Sequence, residues 1–359
     1  MKYGLSTLPV LVLVSSIVLA LSSSLLQRKL TFFKEKLQTA SVLDNSIQKE
    51  LTTPPNFFVI ALSPDGKKAL IRGNPKWTSY VQVWDLETEQ IYPLRDTSLI
   101  AFFLASSHST AVFSSDNKTL LFLDHHHTVF LYDSATQKEL LKLQGEFYYA
   151  NGVLALSPDG KQAAIGSEED NIIYLYDLHS KQQVWKLKGH SDRPWSVAFS
   201  PQGKALVTGS RDKTARVWDL ETGAELLCLK GHTKGIRAVA FSPDSQTILT
   251  GSADHSVRLW DAHTGKELGL FTGHTGAVFA VAFNPTGTRI LTGSADHTAR
   301  LWDVETKKEL ATLKRHPGFV YAVAFSPDEK TIITTSSKTV RIEHNPLYAK
   351  STYDTAKSI

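Results

Sequence analysis

The sequence predicts an all-β fold of seven similar units stacked radially, preceded by an N-terminal hydrophobic helix. Three observations predict it. An aromatic residue followed by Asp ends a β-like run at Trp84-Asp85, Tyr132-Asp133, Tyr176-Asp177, Trp218-Asp219, Trp260-Asp261 and Trp302-Asp303, with a degraded seventh copy at Glu343-His344. A turn sequence keeps step with it: SPDG at 63 and 157, SSDN at 114, SPQG at 200, SPDS at 242, NPTG at 284 and SPDE at 326. Ahead of both, residues 5–26 run without a single charge. Self-similarity at a period near forty residues marks a repeat architecture, in which each unit buries its faces against its neighbours.

The first element is the apolar run LSTLPVLVLVSSIVLALSSSLL. Roughly 20 apolar residues cross a bilayer, so residues 1–26 are long enough for a single-pass membrane anchor. The alternative is a cleaved signal peptide that exports the protein. Lys2 would be its positive start, residues 8–21 its apolar centre, and Ala20, Ser22 and Ser24 the small residues a peptidase needs. A buried core helix is a third reading. No cysteine follows the run, which excludes a bacterial lipoprotein anchor. Arg28, Lys29, Lys34 and Lys36 would hold the following chain in the cytoplasm if the run is retained. A membrane anchor is the expectation, with the side left open. The next element, residues 27–47, places Leu30, Phe33, Leu37, Ala40 and Ile47 at helix-like spacing, as in a helical stalk or linker.

The repeats occupy residues 48–346, and a tail of residues 347–359 follows. VAFS, at 197–200 and again at 239–242, is a short apolar run with no solvent face, as a strand buried between neighbours requires. The SPDG-type sequence then supplies a tight turn, because Pro sets φ while Asp and Gly accept the remaining geometry. ALVTGS (205–210) and TARVWD (214–219) form a second hairpin around Arg211-Asp212-Lys213. Each small sheet cannot bury both its faces alone, so the units are stable only together.

A third landmark is Gly-His at 189, 231 and 273, with Arg315-His316 in the fourth place. Gly-His and Trp-Asp at this period resemble the WD40-repeat family. The resemblance covers roughly residues 51–346 and is most specific in the fourth to sixth copies. It implies a seven-bladed β-propeller with four strands per blade. It also implies a structural hydrogen-bond chain within a blade: His190, Thr208, Asp212 and Trp218 in blade four, His232, Thr250, Asp254 and Trp260 in blade five, and His274, Thr292, Asp296 and Trp302 in blade six. Such sets look like a catalytic triad on paper. Recurrence at identical spacing in three blades favours the structural reading, since Trp donates, Asp accepts and His is oriented between them. Thr78, His126 and Ser337 stand where blades one, two and seven would need the Asp. The family often closes its ring with an N-terminal strand. QKELTT (48–53) is similar to KKELATL (307–313), so 48–53 is expected to complete blade seven, with PLYAKSTY (346–353) as the competing closure.

The resemblance implies a noncatalytic scaffold that binds a protein or peptide. The candidate contact residues are Trp195, Arg237, Phe279 and Tyr321, each four positions before the Phe of a VAF run and placed by the family at the channel mouth. Phe58 holds the same count in blade one, and Arg211 lies on the same rim. Trp, Tyr, Phe and Arg suit a binding hot spot, and this mixture suits an acidic or aromatic peptide, or a carboxylate held by Arg. The bland alternative is that these side chains only pack the inner strand. A propeller enzyme or small-ligand sensor at the central channel is the alternative function. The remaining features argue against other chemistry. A formal charge of +4 over 359 residues does not point to nucleic acid. P-loop, GxGxxG, HExxH and CxxC patterns are absent from the sequence. No metal or cofactor is expected, because His125-His126-His127 cannot all ligate from a regular strand. The single cysteine, Cys228, forms no intrachain disulfide and lies in the apolar stretch LLCLKG, where packing is its expected role. A monomeric propeller is expected.

Overall fold

The computed structural model describes residues 47–54, 57–73, 80–93, 111–123, 128–136, 138–144, 153–313 and 315–348. The hydrophobic run, all of the stalk but Ile47, the tail beyond 348, Thr78 and the His125–His127 cluster lie outside the described residues. Ile47 itself, assigned to the helical stalk by its spacing, opens a β-strand. The membrane-anchored localisation expected from the N-terminal run does not stand: among the described residues no helix is long and apolar enough to cross a membrane.

Among the described residues, 28 strands form seven four-stranded antiparallel sheets. Blade one comprises Phe57–Leu62, Lys68–Gly73, Tyr80–Asp85 and Ile91–Pro93, and blade two Ala111–Phe113, Thr119–Leu123, Thr128–Asp133 and Glu139–Gln144. Blade three comprises Leu154–Leu156, Gln162–Gly166, Ile173–Asp177 and Gln182–Leu187. Blade four runs through Pro194–Phe199, Ala205–Ser210, Thr214–Asp219 and Glu225–Lys230. Blade five runs through Ile236–Phe241, Thr247–Ser252, Val257–Asp261 and Glu267–Phe271, and blade six through Val278–Phe283, Arg289–Ser294, Ala299–Asp303 and Glu309–Thr312. Blade seven takes Val320–Phe325, Thr331–Ser336 and Thr339–His344 from the C-terminal side and Ile47–Thr52 from the N-terminal side. The first strand of each blade touches the first strand of the next, and that of blade seven touches that of blade one, so the innermost strands close a ring. This is the seven-bladed β-propeller.

The local chemistry explains the hairpins. In the turn after Phe199, the amide of Gly203 donates to the Ser200 carbonyl at 2.8 Å, and Gly203 has φ of +69°. Where the sequence offers no glycine, Asn117, Ser245 and Glu329 take that left-handed conformation. The leading Ser is the organiser: Ser242 Oγ donates to Asp244 Oδ1 at 2.5 Å and accepts from the Thr247 amide at 2.9 Å. The Asp of each Trp-Asp pair organises the next turn. Asp219 Oδ1 accepts from the Thr222 amide at 2.7 Å and the Thr222 hydroxyl at 2.8 Å.

The core lies between blades. Ala155, Ala164 and Leu175 of blade three pack with Leu206 and Trp218 of blade four. Val207 and Val217 of blade four pack with Ile248 and Trp260 of blade five. Burying one such aliphatic side chain stabilises by about 2 kcal/mol, so each blade depends on its neighbour for its principal stabilisation. The closing strand follows the same rule. Leu51 is 6% exposed and packs with Val340 and Ile333 of blade seven and with Val59, Ile71 and Trp84 of blade one.

A repeated ion pair ties the third strand to the fourth. Arg216 pairs with Glu225, Arg258 with Glu267 and Arg300 with Glu309. A Cβ on Gly231 would lie 2.8 Å from the Arg258 Nη1 and 3.1 Å from the Trp260 Cη2, which is why the residue before His232 has no side chain. In blade seven, Arg341 sits where the other arginines do, and Glu50 of the closing strand supplies the carboxylate at 3.1 Å. Glu50 thus gives Arg341 the carboxylate that Glu309 gives Arg300, though from a different register: Glu50 lies opposite Arg341, where Thr312 lies opposite Arg300.

Candidate functional site

The structure brings together each of the three hydrogen-bonded sets. In blade four, His190 Nδ1 lies 2.8 Å from Asp212 Oδ2 and His190 Nε2 lies 2.8 Å from Thr208 Oγ1. Trp218 Nε1–H donates to the same Thr208 oxygen at 2.9 Å. Blade five repeats this through His232, Asp254, Thr250 and Trp260 at 2.8 Å throughout. Blade six repeats it through His274, Asp296, Thr292 and Trp302 at 2.8, 2.7 and 2.9 Å. Since Trp N–H only donates and carboxylate only accepts, the network assigns His Nδ1–H to Asp and the Thr hydroxyl proton to His Nε2. Every lone pair and proton on the Thr oxygen that matters is then engaged, and Thr208, Thr250 and Thr292 are fully buried. A hydroxyl so placed cannot reach a substrate, so these sets brace the blades.

The carboxylates respond to this packing. Burial alone would raise Asp212, but hydrogen bonds from His190 and Thr214 outweigh it and hold the acid well below its usual range. Asp254 behaves alike through His232 and Ser256. Asp296 is lowered to about 2, with burial opposed by hydrogen bonds from Thr298 and His274.

Blade seven departs from the pattern. Ser337 does not replace the Asp; instead His316 Nδ1 lies 3.2 Å from Thr339 Oγ1, while Nε2 keeps its contact with Thr334 Oγ1 at 2.8 Å. Glu343 pairs across from Ile332 as Trp302 pairs across from Ile290, and it is fully buried. Burial, then the Arg341 charge, push His316 down to about 3. The ordinary histidine value is 6.5. The unfolded chain therefore takes up the proton first as pH falls. The stability that neutral His316 contributes is whole above about pH 6.5 and is lost progressively towards pH 3, at up to roughly 1.4 kcal/mol per pH unit. His274, also lowered chiefly by burial, adds to the same window, whereas Asp296 contributes stability that is lost only as the acid range is entered, between its ordinary 3.8 and about 2. Urea unfolding at pH 7 and pH 5 should show this loss, and His316→Gln should flatten it. An unchanged slope in that variant would refute the assignment.

The candidate contact residues occupy a shared structural position. The pairing of first and second strands shifts register between Pro194 and Ser196, between Ile236 and Ala238, between Val278 and Ala280, and between Val320 and Ala322. Trp195, Arg237, Phe279 and Tyr321 are thus the bulged residues of blades four to seven. A bulge re-aims the side chain out of the ladder. The four side chains form a continuous row. The Arg237 guanidinium carbon lies 3.5 Å from the Trp195 ring centroid and 5.7 Å from that of Phe279. Phe279 and Tyr321 have centroids 5.4 Å apart. All four are half-buried. Burial, then the charge of Arg211, push the Arg237 guanidinium below its ordinary range. Burial raises the Tyr321 phenol.

Phe58 does not share this position. The bulge of blade one falls between Val59 and Ala61, so Ile60 is the displaced residue and Phe58 stays in the ladder opposite Arg72. Two residues escaped the spacing argument. Phe319 is 43% exposed and lies 5.9 Å from Phe279 and 6.1 Å from Tyr321 between centroids. His297, held at φ of +72° in the blade-six turn, meets Phe319 edge-on at 5.5 Å. The signal for Phe319 was an aromatic in an otherwise small-residue turn, HPGFV. Among the described residues no group of three or more His, Cys, Asp or Glu is arranged to hold a metal ion. Cys228 is half-buried in the outer strand of blade four.

Comparison with known proteins agrees with this geometry. The family described as WD domain, G-beta repeat matches residues 181–219, 223–261, 265–303 and 307–342. Transcription factor unc-37 of Caenorhabditis elegans is 35% identical over 101 residues, covering 28% of this chain and 16% of that protein. WD repeat-containing protein SL1-17 of Schistosoma mansoni is 32% identical over 137 residues, 38% of this chain and 42% of that protein. The U5 small nuclear ribonucleoprotein 40 kDa protein of Homo sapiens is 39% identical over 57 residues, 16% of each chain. The matched stretch is under half the length of each of these relatives. With four repeats matched in sequence and seven blades in structure, the chain carries WD40 repeats and folds as a seven-bladed β-propeller.

Proposed function

We propose that this protein is a noncatalytic scaffold that binds a protein or peptide at the mouth of the propeller channel. The observation that carries the reading is the row Trp195, Arg237, Phe279 and Tyr321: four residues of hot-spot type, each displaced from its ladder by a bulge and in contact with the next. The sealed Thr-His-Asp sets support a noncatalytic role. So do relatives whose names place them in a ribonucleoprotein or in transcription. The test is a crosslinking pull-down with the full chain and with a Trp195→Ala, Arg237→Ala, Phe279→Ala chain of equal melting temperature. A partner captured by the first should be weakened about 30-fold or more in the second, the scale of losing a hot spot. Equal capture by both chains would move the binding site away from the row.

A further inference from the structure

We infer that the partner is a peptide segment that presents an acidic side chain to the blade-four and blade-five end of the row and an apolar or aromatic side chain to the blade-six and blade-seven end. The inference rests on the mouth-binding reading above.

The two ends of the row differ in chemistry. At the first end the Trp195 indole, the Arg237 guanidinium and the backbone of Arg211 meet around one turn. Trp195 lies so close over Gly235 that a Cβ there would come within 2.4 Å of its Cζ3, and within 3.0 Å of the Arg211 Cα. The Arg237 guanidinium stacks on the same ring. Arg211 makes a long contact from its Nε to Asp192 Oδ2, 3.7 Å, with both side chains well exposed. The positive charges of Arg211 and half-buried Arg237 repel each other, which the lowering of Arg237 by burial and then by Arg211 reflects. A carboxylate entering between them relieves that repulsion and accepts charge-assisted hydrogen bonds. At the second end the surface is rings: Phe279, Tyr321 and the exposed Phe319, with His297 set edge-on against it. The ends meet where Arg237 stands 5.7 Å from the Phe279 centroid. An extended peptide rises roughly 3.3 Å per residue, so an acidic and an apolar residue two or three positions apart engage both ends.

Single-stranded nucleic acid also uses arginines and stacked rings. Two carboxylates on this rim oppose it. Asp192 stands beside Arg211, and Glu168 is paired with Arg193, whose carbonyl accepts the Arg211 amide at 2.9 Å. A run of phosphates would meet both acids, whereas one side-chain carboxylate need meet neither.

The experiment is selection of random decapeptides displayed on phage against the full chain, with counter-selection on its Arg237→Ala variant. Enriched peptides should carry Asp or Glu two or three positions from Phe, Leu, Trp or Tyr. For one such synthetic peptide, Asp→Asn should weaken binding about tenfold. That loss should nearly vanish in the Arg237→Ala chain, because the two changes remove the same contact. Arg237→Lys, with an unchanged melting temperature, should recover part of the affinity and separates a charge effect from lost packing. Peptides that need Trp195 and Phe279 but carry no acid would overturn this inference and leave the mouth-binding reading standing. Peptides indifferent to the whole row would overturn both. Displacement of the selected peptide by single-stranded oligouridylate at equal or lower concentration would replace the peptide with a nucleic acid and overturn the inference.

Discussion

Deleting residues 47–52 should abolish the single cooperative unfolding transition of the propeller. The closing strand pairs with Thr339–His344 along its length, places Leu51 in the core between blades seven and one, and gives Arg341 its carboxylate. Without it, the third strand of blade seven becomes an edge, Leu51 leaves a void, and Arg341, 6% exposed at its side chain, loses Glu50. A void of leucine size costs about 2–5 kcal/mol, and removing the charge-assisted hydrogen bonds of Glu50 from Arg341, which keeps the Arg315 carbonyl, costs about 1.5–3 kcal/mol more. Together these rival the roughly 5–15 kcal/mol that holds a whole domain folded. The loss reaches beyond blade seven, since Leu51 is the closing strand's share of the core between blades seven and one. Circular dichroism during a urea titration checks it: the deleted chain should show a broad transition or none, and Leu51→Ala a sharp transition displaced by about 2–4 kcal/mol. A deleted chain that unfolds at the same urea concentration as the intact one would mean the ring is held elsewhere.

What the sequence makes legible follows from how local each feature is. The hairpin turns need Ser, Asp and a residue that tolerates positive φ within four positions, so Ser157 to Gly160 can be read directly. The closing strand was legible because Glu50 offers Arg341 the carboxylate that Glu309 offers Arg300, but its register was not: Leu51 is buried where Leu310 is exposed. The bulges were not. A bulge is a property of the register between two strands, and nothing in FFVIAL says that blade one shifts at Ile60 while PWSVAF shifts at Trp195. Counting residues therefore placed Phe58 correctly along the chain and wrongly in the ladder. Glu343 was legible only as a failed Trp-Asp pair. Its burial at the tryptophan position depends on the neighbours that blade seven supplies, among them Arg341 and the borrowed strand. The Arg216–Glu225 pair and its two repeats were hidden for the opposite reason: alternating charges on an outer strand read as an ordinary solvated face, and only the ring shows that they lie against Gly189 and its equivalents.

Blades four to six are braced by the same four residue types, and blade seven by fewer, which makes the braces testable against one another. Asp254→Ala should cost about 2–4 kcal/mol of stability, since it strands the buried His232 and releases Thr233 and Ser256 from the same carboxylate. Asp296→Ala should cost about as much, because His274, Thr275 and Thr298 surround it identically. Ser337→Ala should cost under about 0.5 kcal/mol, as Thr339 and not Ser337 meets His316. Trp260→Phe removes the indole N–H that donates to Thr250. Combined with Asp254→Ala, it should cost less than the two losses added, because both changes act through one hydroxyl and one imidazole. Additive losses would mean that the four groups are neighbours without being a network. A catalytic set would behave differently: one blade alone would matter for activity, and its loss would leave the urea midpoint in place. Equal destabilisation by the blade-five and blade-six substitutions is the outcome that a brace requires, because the two carboxylates hold the same kinds of partner at the same distances.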